Sequence, residues 1–154
     1  MGPSGIGRVM EGMRAVEISK SPKQYLIKVE AGTEVIAALA DFVKQNKIGS
    51  GSLIGLGAIK DTTIGWFHSD TKKYTKLAFP EEIEIVGATG TIAWLGNDPS
   101  IHMHVVLGAE DGKTFAGHLF SAVVAVTVEF VLTASPVRVE RKQDPRFGLN
   151  LLDI

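Results

Sequence analysis

Apolar and polar residues alternate along most of this chain, which is the pattern of half-buried β-strands. Between residues 24 and 30, for example, Tyr25, Ile27 and Val29 alternate with polar side chains. Similar segments rich in β-branched and aromatic residues follow, separated by turn-forming pairs such as Ser69-Asp70. We predict strands at 13–19, 24–30, 52–59, 62–68, 74–79, 83–95, 101–107, 114–120 and 123–133.

Only the segment 33–46 changes to the helical period. Thr33 is suited to cap its N-terminus, and Glu34 suits the positive end of the helix dipole. The apolar stripe of this helix consists of Val35, Ile36, Leu39, Ala40 and Val43. The connections between the predicted strands are too short for parallel crossovers. The pattern therefore predicts an α+β fold with a mainly antiparallel sheet and one main amphipathic helix.

Length and composition fit one globular domain. The chain has 154 residues, of which 45% are hydrophobic and 21% charged. We expect a flexible leader at 1–12, rich in Gly, Pro and Ser, followed by a single domain at 13–154. No apolar run approaches the length of about 20 residues needed to cross a membrane. The start of the chain also lacks a signal-peptide pattern, so we expect a cytoplasmic protein without membrane contact.

Charge and cysteine content narrow the function further. The 16 basic and 17 acidic residues give a net charge of −1. Proteins that bind DNA strongly carry a basic excess or a basic stripe, so the charge does not support DNA binding, although DNA stays a possible partner. Cysteine is absent, which removes disulfides, thiolate catalysis and cysteine-based zinc sites. Any bound metal must be held by histidine or carboxylate ligands.

Three of the four histidines are close together in the sequence. His102 and His104 alternate with apolar residues in a predicted strand, so both imidazoles point to one face. His118 lies in the next predicted strand. Three histidines with an open coordination position are typical of catalytic rather than structural zinc sites. The alternative is that these histidines simply occupy the polar face of a half-buried strand.

The loop between the two strands decides whether the histidines meet. A three-residue loop, Glu110-Asp111-Gly112, places glycine where a turn followed by a bulge needs a left-handed residue. Counting outward from this loop puts His104 directly opposite His118. A two-residue Asp111-Gly112 loop would instead turn His118 to the other face. The metal hypothesis therefore predicts the odd-length loop, with zinc or another divalent transition metal as the cofactor.

Other residues near these strands are candidates for supporting roles. Glu84 and Glu129 are carboxylates within apolar strands, where either could orient an imidazole, act as a base or contact a partner subunit. Gly117 would leave room beside His118 for a ligand or a neighbouring subunit. The C-terminal basic residues are interpreted as a solvated edge strand or an intersubunit salt link; they are Arg138, Arg141, Lys142 and Arg146.

Several motifs, in order, resemble the plants-and-prokaryotes-conserved (PPC) domain. They are Gly49-Ser50-Gly51-Ser52, Glu82 to Gly90, Ile101-His102-Met103-His104-Val105, Ala116-Gly117-His118-Leu119 and Arg141 to Leu149. The resemblance covers nearly the whole chain from about Met13. The resemblance implies a homotrimer of a compact α+β domain. Within the family, the chain is similar to prokaryotic stand-alone members, some of which are expected to hold a metal at the histidines. Plant relatives carry a separate DNA-binding AT-hook, which has no counterpart here.

Three functions follow from these observations. The first is a trimeric metal-binding domain whose open site receives a small ligand. The second is a DNA-associated regulator, which is the label the resemblance implies. The third is a metal-dependent, hydrolase-like enzyme, in which the ion lowers the pKa of a bound water. We favour the first over catalysis, because no serine, cysteine or lysine nucleophile constellation supports a named reaction.

Overall fold

The computed structural model describes residues 8–154 and contains ten strands and one helix in that range. This helix spans 11 residues, and no helix within residues 8–154 has the length and apolarity required to span a membrane. In chain order the elements are β1 (Arg8–Met10), β2 (Met13–Lys20), β3 (Lys23–Glu30), α1 (Val35–Gln45), β4 (Ser50–His68), β5 (Lys73–Phe79), β6 (Ile83–Leu95), β7 (Asp98–Gly108), β8 (Thr114–Ser135), β9 (Arg141–Asp144) and β10 (Leu149–Leu152).

Eight of the strands form one antiparallel sheet in the order β1-β2-β3-β8-β7-β6-β4-β5. Strand β8 also pairs with β4, so β4, β6, β7 and β8 close into a ring of hydrogen-bonded strands. Alternate side chains of these strands point into the ring and form the core, which includes Leu53, Met103 and Leu119. The predicted α+β class and the mainly antiparallel sheet are confirmed.

Two long strands replace four of the predicted short ones. The segments 52–59 and 62–68 are both parts of β4, and 114–120 and 123–133 are both parts of β8. Asp61 adopts a left-handed conformation (φ 48°), and the β4–β8 register shifts between Lys60 and Thr63. The turn-like residues in this region therefore bend the strand as bulges without ending it.

The helix begins two residues later than predicted. Its N-cap is Glu34, whose carboxylate accepts a hydrogen bond from the Ala37 amide at 2.6 Å, so the assignment of Thr33 as the cap is wrong. Glu34 takes this role because its other carboxylate oxygen accepts from the Ala122 amide of β8 at 3.1 Å. The buried face of α1 consists of Val35, Leu39, Phe42 and Val43. The predicted amphipathic helix is thus confirmed, and it packs on the sheet.

Both ends of the described chain join the fold. Strand β1, Arg8–Met10, pairs with β2, so ordered structure begins inside the expected leader 1–12; residues 1–7 of that leader lie outside the described residues. At the other end, β9 and β10 form a hairpin, and Glu140 just before it makes a parallel bridge to Trp94 of β6. The Trp94 amide donates to the Val139 carbonyl at 2.9 Å, and the Arg138 guanidinium stacks 4.2 Å from the Trp94 ring. These contacts place the hairpin beside the outer surface of β6.

Candidate metal centre

Strand β7 presents two histidines on the outer face of the ring of strands. His102 and His104 are exposed, whereas Met103 and Val105 between and beside them are buried in the core. The period-two alternation read from the sequence is therefore the observed one. The core side chains hold the strand in register, and the two imidazoles follow from that register.

The hairpin between β7 and β8 brings the third histidine to the same face. The Ala109 amide donates to the Lys113 carbonyl and the Gly112 amide to the Ala109 carbonyl, both at 2.9 Å. Gly112 has a φ of 81°, the left-handed conformation that a three-residue loop requires at this position. His104 is consequently the direct cross-strand partner of His118. The predicted register is confirmed.

The three imidazoles converge closely enough to share one ion. One ring nitrogen from each of His102, His104 and His118 lies within 4.8 Å of the others. The ring centroids are 5.1 to 5.7 Å apart. A tetrahedral zinc ion with bonds of about 2.0–2.1 Å holds its nitrogen ligands roughly 3.3 Å apart. Rotations of the imidazoles can supply this contraction, so the donor set fits such an ion.

The environment favours neutral imidazoles, the form that binds metals. Partial burial lowers the pKa of His118 to about 4, and repulsion from His102, His104 and Arg141 adds to the effect. Burial, followed by the charges of Arg141 and His104, also lowers the pKa of His102. The Nδ1 atom of His118 is buried without a hydrogen-bond partner among the described residues. A buried nitrogen of this kind is costly unless a partner such as a metal satisfies it.

Aromatic side chains border the triad of His102, His104 and His118 on the side of β5. The Tyr74 ring lies 5.7 Å and the Phe120 ring 4.8 Å from the His118 ring, measured between centroids. Tyr74 and Phe120 meet edge to face at 4.9 Å. Both rings approach Gly65, where a Cβ atom would lie 2.7 Å from Phe120. The absence of a side chain at Gly65 therefore allows the two rings to lie beside His118.

The opposite side of the triad is bordered by a threonine and an arginine. Thr91 of β6 is the direct cross-strand partner of His102. Its hydroxyl accepts a hydrogen bond from Nη2 of Arg141 at 3.2 Å, while Nη1 of Arg141 donates to the Asn150 carbonyl at 3.1 Å. The C-terminal hairpin thus carries a guanidinium to the edge of the histidine cluster.

The two candidate carboxylates do not join the triad within one chain. Glu84 pairs with Gly108, four residues along β7 from His104, which corresponds to about 13 Å. Glu129 is eleven residues along β8 from His118 and pairs with Lys28. Both carboxylates are exposed. The expectation that either orients an imidazole of the same chain is therefore wrong, while a contact with another subunit stays a prediction.

Gly117 has a different role from the expected one. A Cβ atom at this position would lie 2.8 Å from the carbonyl oxygen of Gly65 in β4. The space beside Gly117 is thus filled by the backbone of the same chain, and the expectation of room there for a ligand or subunit is wrong. Gly117 instead permits the close approach of β4 and β8 on which the position of His118 depends.

Comparison with known proteins places the chain in a family. The family model of the Plants and Prokaryotes Conserved (PCC) domain matches residues 16–136. The chain belongs to this family. This is the same family as the plants-and-prokaryotes-conserved (PPC) domain, so the assignment confirms the resemblance seen in the motifs. Comparison of the PCC chain with curated proteins gives no match.

Solved structures share the PCC fold over most of their length. A protein from Bacteroides thetaiotaomicron, provisionally named a DNA-binding protein, is 31% identical, with 98% of each chain covered and a TM-score of 0.81. A metal-containing protein from Archaeoglobus fulgidus is 31% identical, with 84% of this chain and 92% of that chain covered and a TM-score of 0.78. A plant- and prokaryote-conserved protein from Pyrococcus horikoshii is 27% identical, with 96% and 98% covered and a TM-score of 0.79.

Proposed function

We propose that this PCC-domain protein binds a divalent transition metal ion through His102, His104 and His118 and leaves a coordination position for a small ligand. The observation that carries the proposal is the convergence of three imidazoles on one outer face, with their ligand nitrogens within 4.8 Å of one another. The metal-containing relative from Archaeoglobus fulgidus supports it. Zinc is the first candidate, because imidazole suits it and three protein ligands leave its fourth position free.

The neighbouring side chains favour binding over turnover. When bound, the ion would supply Lewis acidity toward an oxygen of the ligand. Burial raises the pKa of Tyr74, so its hydroxyl stays protonated near neutral pH. Arg141 remains charged under the same conditions. Neither group is a general base, and we therefore place the hydrolase-like enzyme behind the binding function.

We also propose that the protein assembles as a homotrimer. One row of directly paired residues crosses the outer surface of the sheet from β3 through β8 to β4, and it consists of Leu26, Val131 and Ile54. Leu26 and Ile54 are 47% and 59% exposed. Ile54 pairs in turn with Thr89, which pairs with His104, so the row leads to the metal centre. Apolar surface of this kind is typical of subunit contacts.

A cytoplasmic location stays a prediction, which cell fractionation tests.

Metal analysis of untagged protein tests the proposed function. Protein purified without affinity chromatography on metal resins is expected to contain close to one equivalent of a divalent transition metal per chain, measured by inductively coupled plasma mass spectrometry. His104→Ala should lose most of it, because two imidazoles hold an ion much more weakly than three. His68→Ala, which removes an exposed histidine outside the triad, should retain it. Absence of metal in the unaltered protein, before and after incubation with zinc, would overturn the proposal.

DNA binding is the second candidate, supported by the provisional name of the relative from Bacteroides thetaiotaomicron. The charge distribution opposes it. In the C-terminal segment, Arg138 pairs with Glu140, and Arg146 pairs with Asp144 at 2.6 Å. A titration against duplex DNA at increasing salt tests this function, because phosphate contacts make affinity fall steeply with salt. Weak retention that does not respond to salt would exclude it.

A further inference from the structure

The guanidinium of Arg141 lies at the rim of the histidine triad with unused donors. Arginine carries five N–H donors, and Arg141 uses two of them within residues 8–154, toward Thr91 and Asn150. Its Nε atom is buried and has no partner among these residues. A partly buried cation with unpaired donors is costly unless an acceptor completes its hydrogen bonds. Nη1 and Nη2 each keep a second N–H, and because Arg141 is only partly buried, these are the donors that an added oxygen acceptor would use.

The route from Arg141 to the triad is short. Its hydrogen-bond acceptor, Thr91, and the ligand residue His102 are directly opposed on β6 and β7, where opposed Cβ atoms are separated by about 4.5–5.5 Å. A divalent ion held by neutral imidazoles would therefore place a second positive charge close to the guanidinium. An anion that contacts both would relieve their repulsion, whereas a neutral ligand would not.

The other side of the triad offers aromatic surface. Tyr74 and Phe120 form a pair of rings beside His118, and both are only partly buried. The ammonium of Lys76 lies 4.1 Å above the Phe120 ring. A ligand centred on the triad can thus have an anionic end toward Arg141 and an apolar body against the two rings.

We propose that the small ligand of the metal centre is an organic carboxylate, held by the ion and Arg141 at its carboxylate and by Tyr74 and Phe120 at its apolar body. This inference rests on the proposed metal-binding function. Carboxylate oxygens match both a transition metal and a guanidinium. An inorganic phosphate would satisfy the two cations and leave the aromatic surface uncovered. The carboxylate with an apolar body matches the ion and Arg141 at one end and the two rings at the other.

Cobalt-loaded protein provides a test that does not depend on catalysis. The visible absorption of Co²⁺ changes when an anion enters its coordination sphere, so titration with benzoate, acetate and inorganic phosphate gives three dissociation constants. We expect benzoate to bind roughly tenfold more tightly than acetate, because its ring covers Tyr74 and Phe120. Benzoate should also bind more tightly than phosphate. Phe120→Ala should reduce the preference for benzoate over acetate.

Substitution of Arg141 tests the charged half of the site. Arg141→Gln should weaken benzoate and acetate binding by roughly tenfold and leave the Co²⁺ content unchanged. Arg141→Lys, which keeps the charge without the planar fork, should give an intermediate loss. The matched control is Arg146→Gln, which removes an exposed guanidinium in the turn of the same hairpin. Circular dichroism and Co²⁺ content show whether each variant is folded and loaded.

The outcomes separate this inference from the metal-binding proposal. Failure of the unaltered protein to load Co²⁺ or Zn²⁺ would overturn both. Normal loading with no spectral response to benzoate would overturn the carboxylate alone. Equal or tighter binding of phosphate would assign the site to inorganic oxyanions instead. If Arg141→Gln does not load Co²⁺, two other measurements decide: the affinity of Arg141→Lys for benzoate and acetate, and the ratio of the two affinities in the unaltered protein. The inference would be overturned if Arg141→Lys bound both anions as tightly as the unaltered protein and the unaltered protein did not prefer benzoate.

Discussion

His104 on β7 and His118 on β8 are direct cross-strand partners, with ring centroids 5.7 Å apart and nearly perpendicular ring planes. Their opposition depends on the odd-length loop at Gly112, because a change of one residue in register moves a side chain to the other face of the sheet. His102 joins them from the neighbouring position on the same face of β7. A single hairpin therefore assembles all three candidate ligands.

The turn conformation of Gly112 can be tested apart from the metal site. Gly112 has a φ of 81°, and no atom of residues 8–154 lies within 4 Å of the position that a Cβ would occupy, so Gly112→Ala introduces backbone strain without a clash. We expect it to lower the free energy of unfolding by about 1 kcal/mol, measured by urea denaturation. Gly87→Ala also meets open space, but its φ lies outside the left-handed region, and it should cost less. Equal losses in the two variants would contradict the turn geometry.

The hairpin and its histidines are predictable from sequence because their determinants are local. The alternation of His102 and His104 with core residues and the position of Gly112 all lie within one pair of adjacent strands. Arg141 is different. Its contact with Thr91 joins residues 50 positions apart and depends on how the chain before the C-terminal hairpin pairs with β6. No periodicity near Arg141 reports that pairing, so the basic residues around it indicate only a solvated edge strand or an intersubunit salt link.

The strand boundaries likewise depend on long-range pairing that the local sequence does not report. Turn-forming residues at Lys60 and Asp61 predicted a break between two strands, and the structure contains a bend within β4 instead. Pairing with β8 on both sides of the bend supplies the hydrogen bonds that keep the strand continuous. The same long-range pairing fixes Gly117 against Gly65. Local turn propensity cannot distinguish a bulge from a strand end without this information.

Protonation of His118 should make the metal-free protein sensitive to mild acid. Its pKa is about 4 in the folded chain, mainly because of burial, compared with an ordinary value near 6.5. Between these values the unfolded chain binds a proton that the folded chain does not, so the free energy of unfolding falls as pH decreases through this window. The expected loss is about 1–3 kcal/mol, reduced toward the lower figure by the solvent contact of the ring. His102, whose pKa is also lowered, acts in the same direction.

Urea denaturation in the presence of a chelator, at about pH 7 and about pH 5, measures this loss. His118→Gln should show a clearly smaller difference in the free energy of unfolding between the two pH values, because it removes the histidine whose pKa is lowered most. His68→Gln, at an exposed position outside the triad, should behave like the unaltered protein. An identical pH dependence in His118→Gln and the unaltered protein would show that other groups dominate.

Glu34 connects the helix to the sheet through one carboxylate. Its two oxygens accept from the amides of Ala37 in α1 and Ala122 in β8. Glu34→Ala leaves both amides without this acceptor and should lower the free energy of unfolding by about 1–2 kcal/mol. Glu34→Gln keeps one carbonyl oxygen and should cost less. Thermal and urea denaturation measure both losses, and a neutral Glu34→Ala variant would show that water replaces the cap at no cost.

The apolar row at Leu26, Val131 and Ile54 should control assembly. Ile54 is 59% exposed, and a charge at its position would have to be buried if this surface forms the subunit contact. Ile54→Glu is therefore expected to shift the protein from trimer to monomer in size-exclusion chromatography with light scattering. Leu95→Glu provides the matched control, because Leu95 is 44% exposed at the far end of β6, outside the row. Because the row leads through Thr89 to His104, metal content measured on the separated monomer then shows whether one chain suffices to hold the ion. A trimer that withstands Ile54→Glu would place the subunit contact elsewhere.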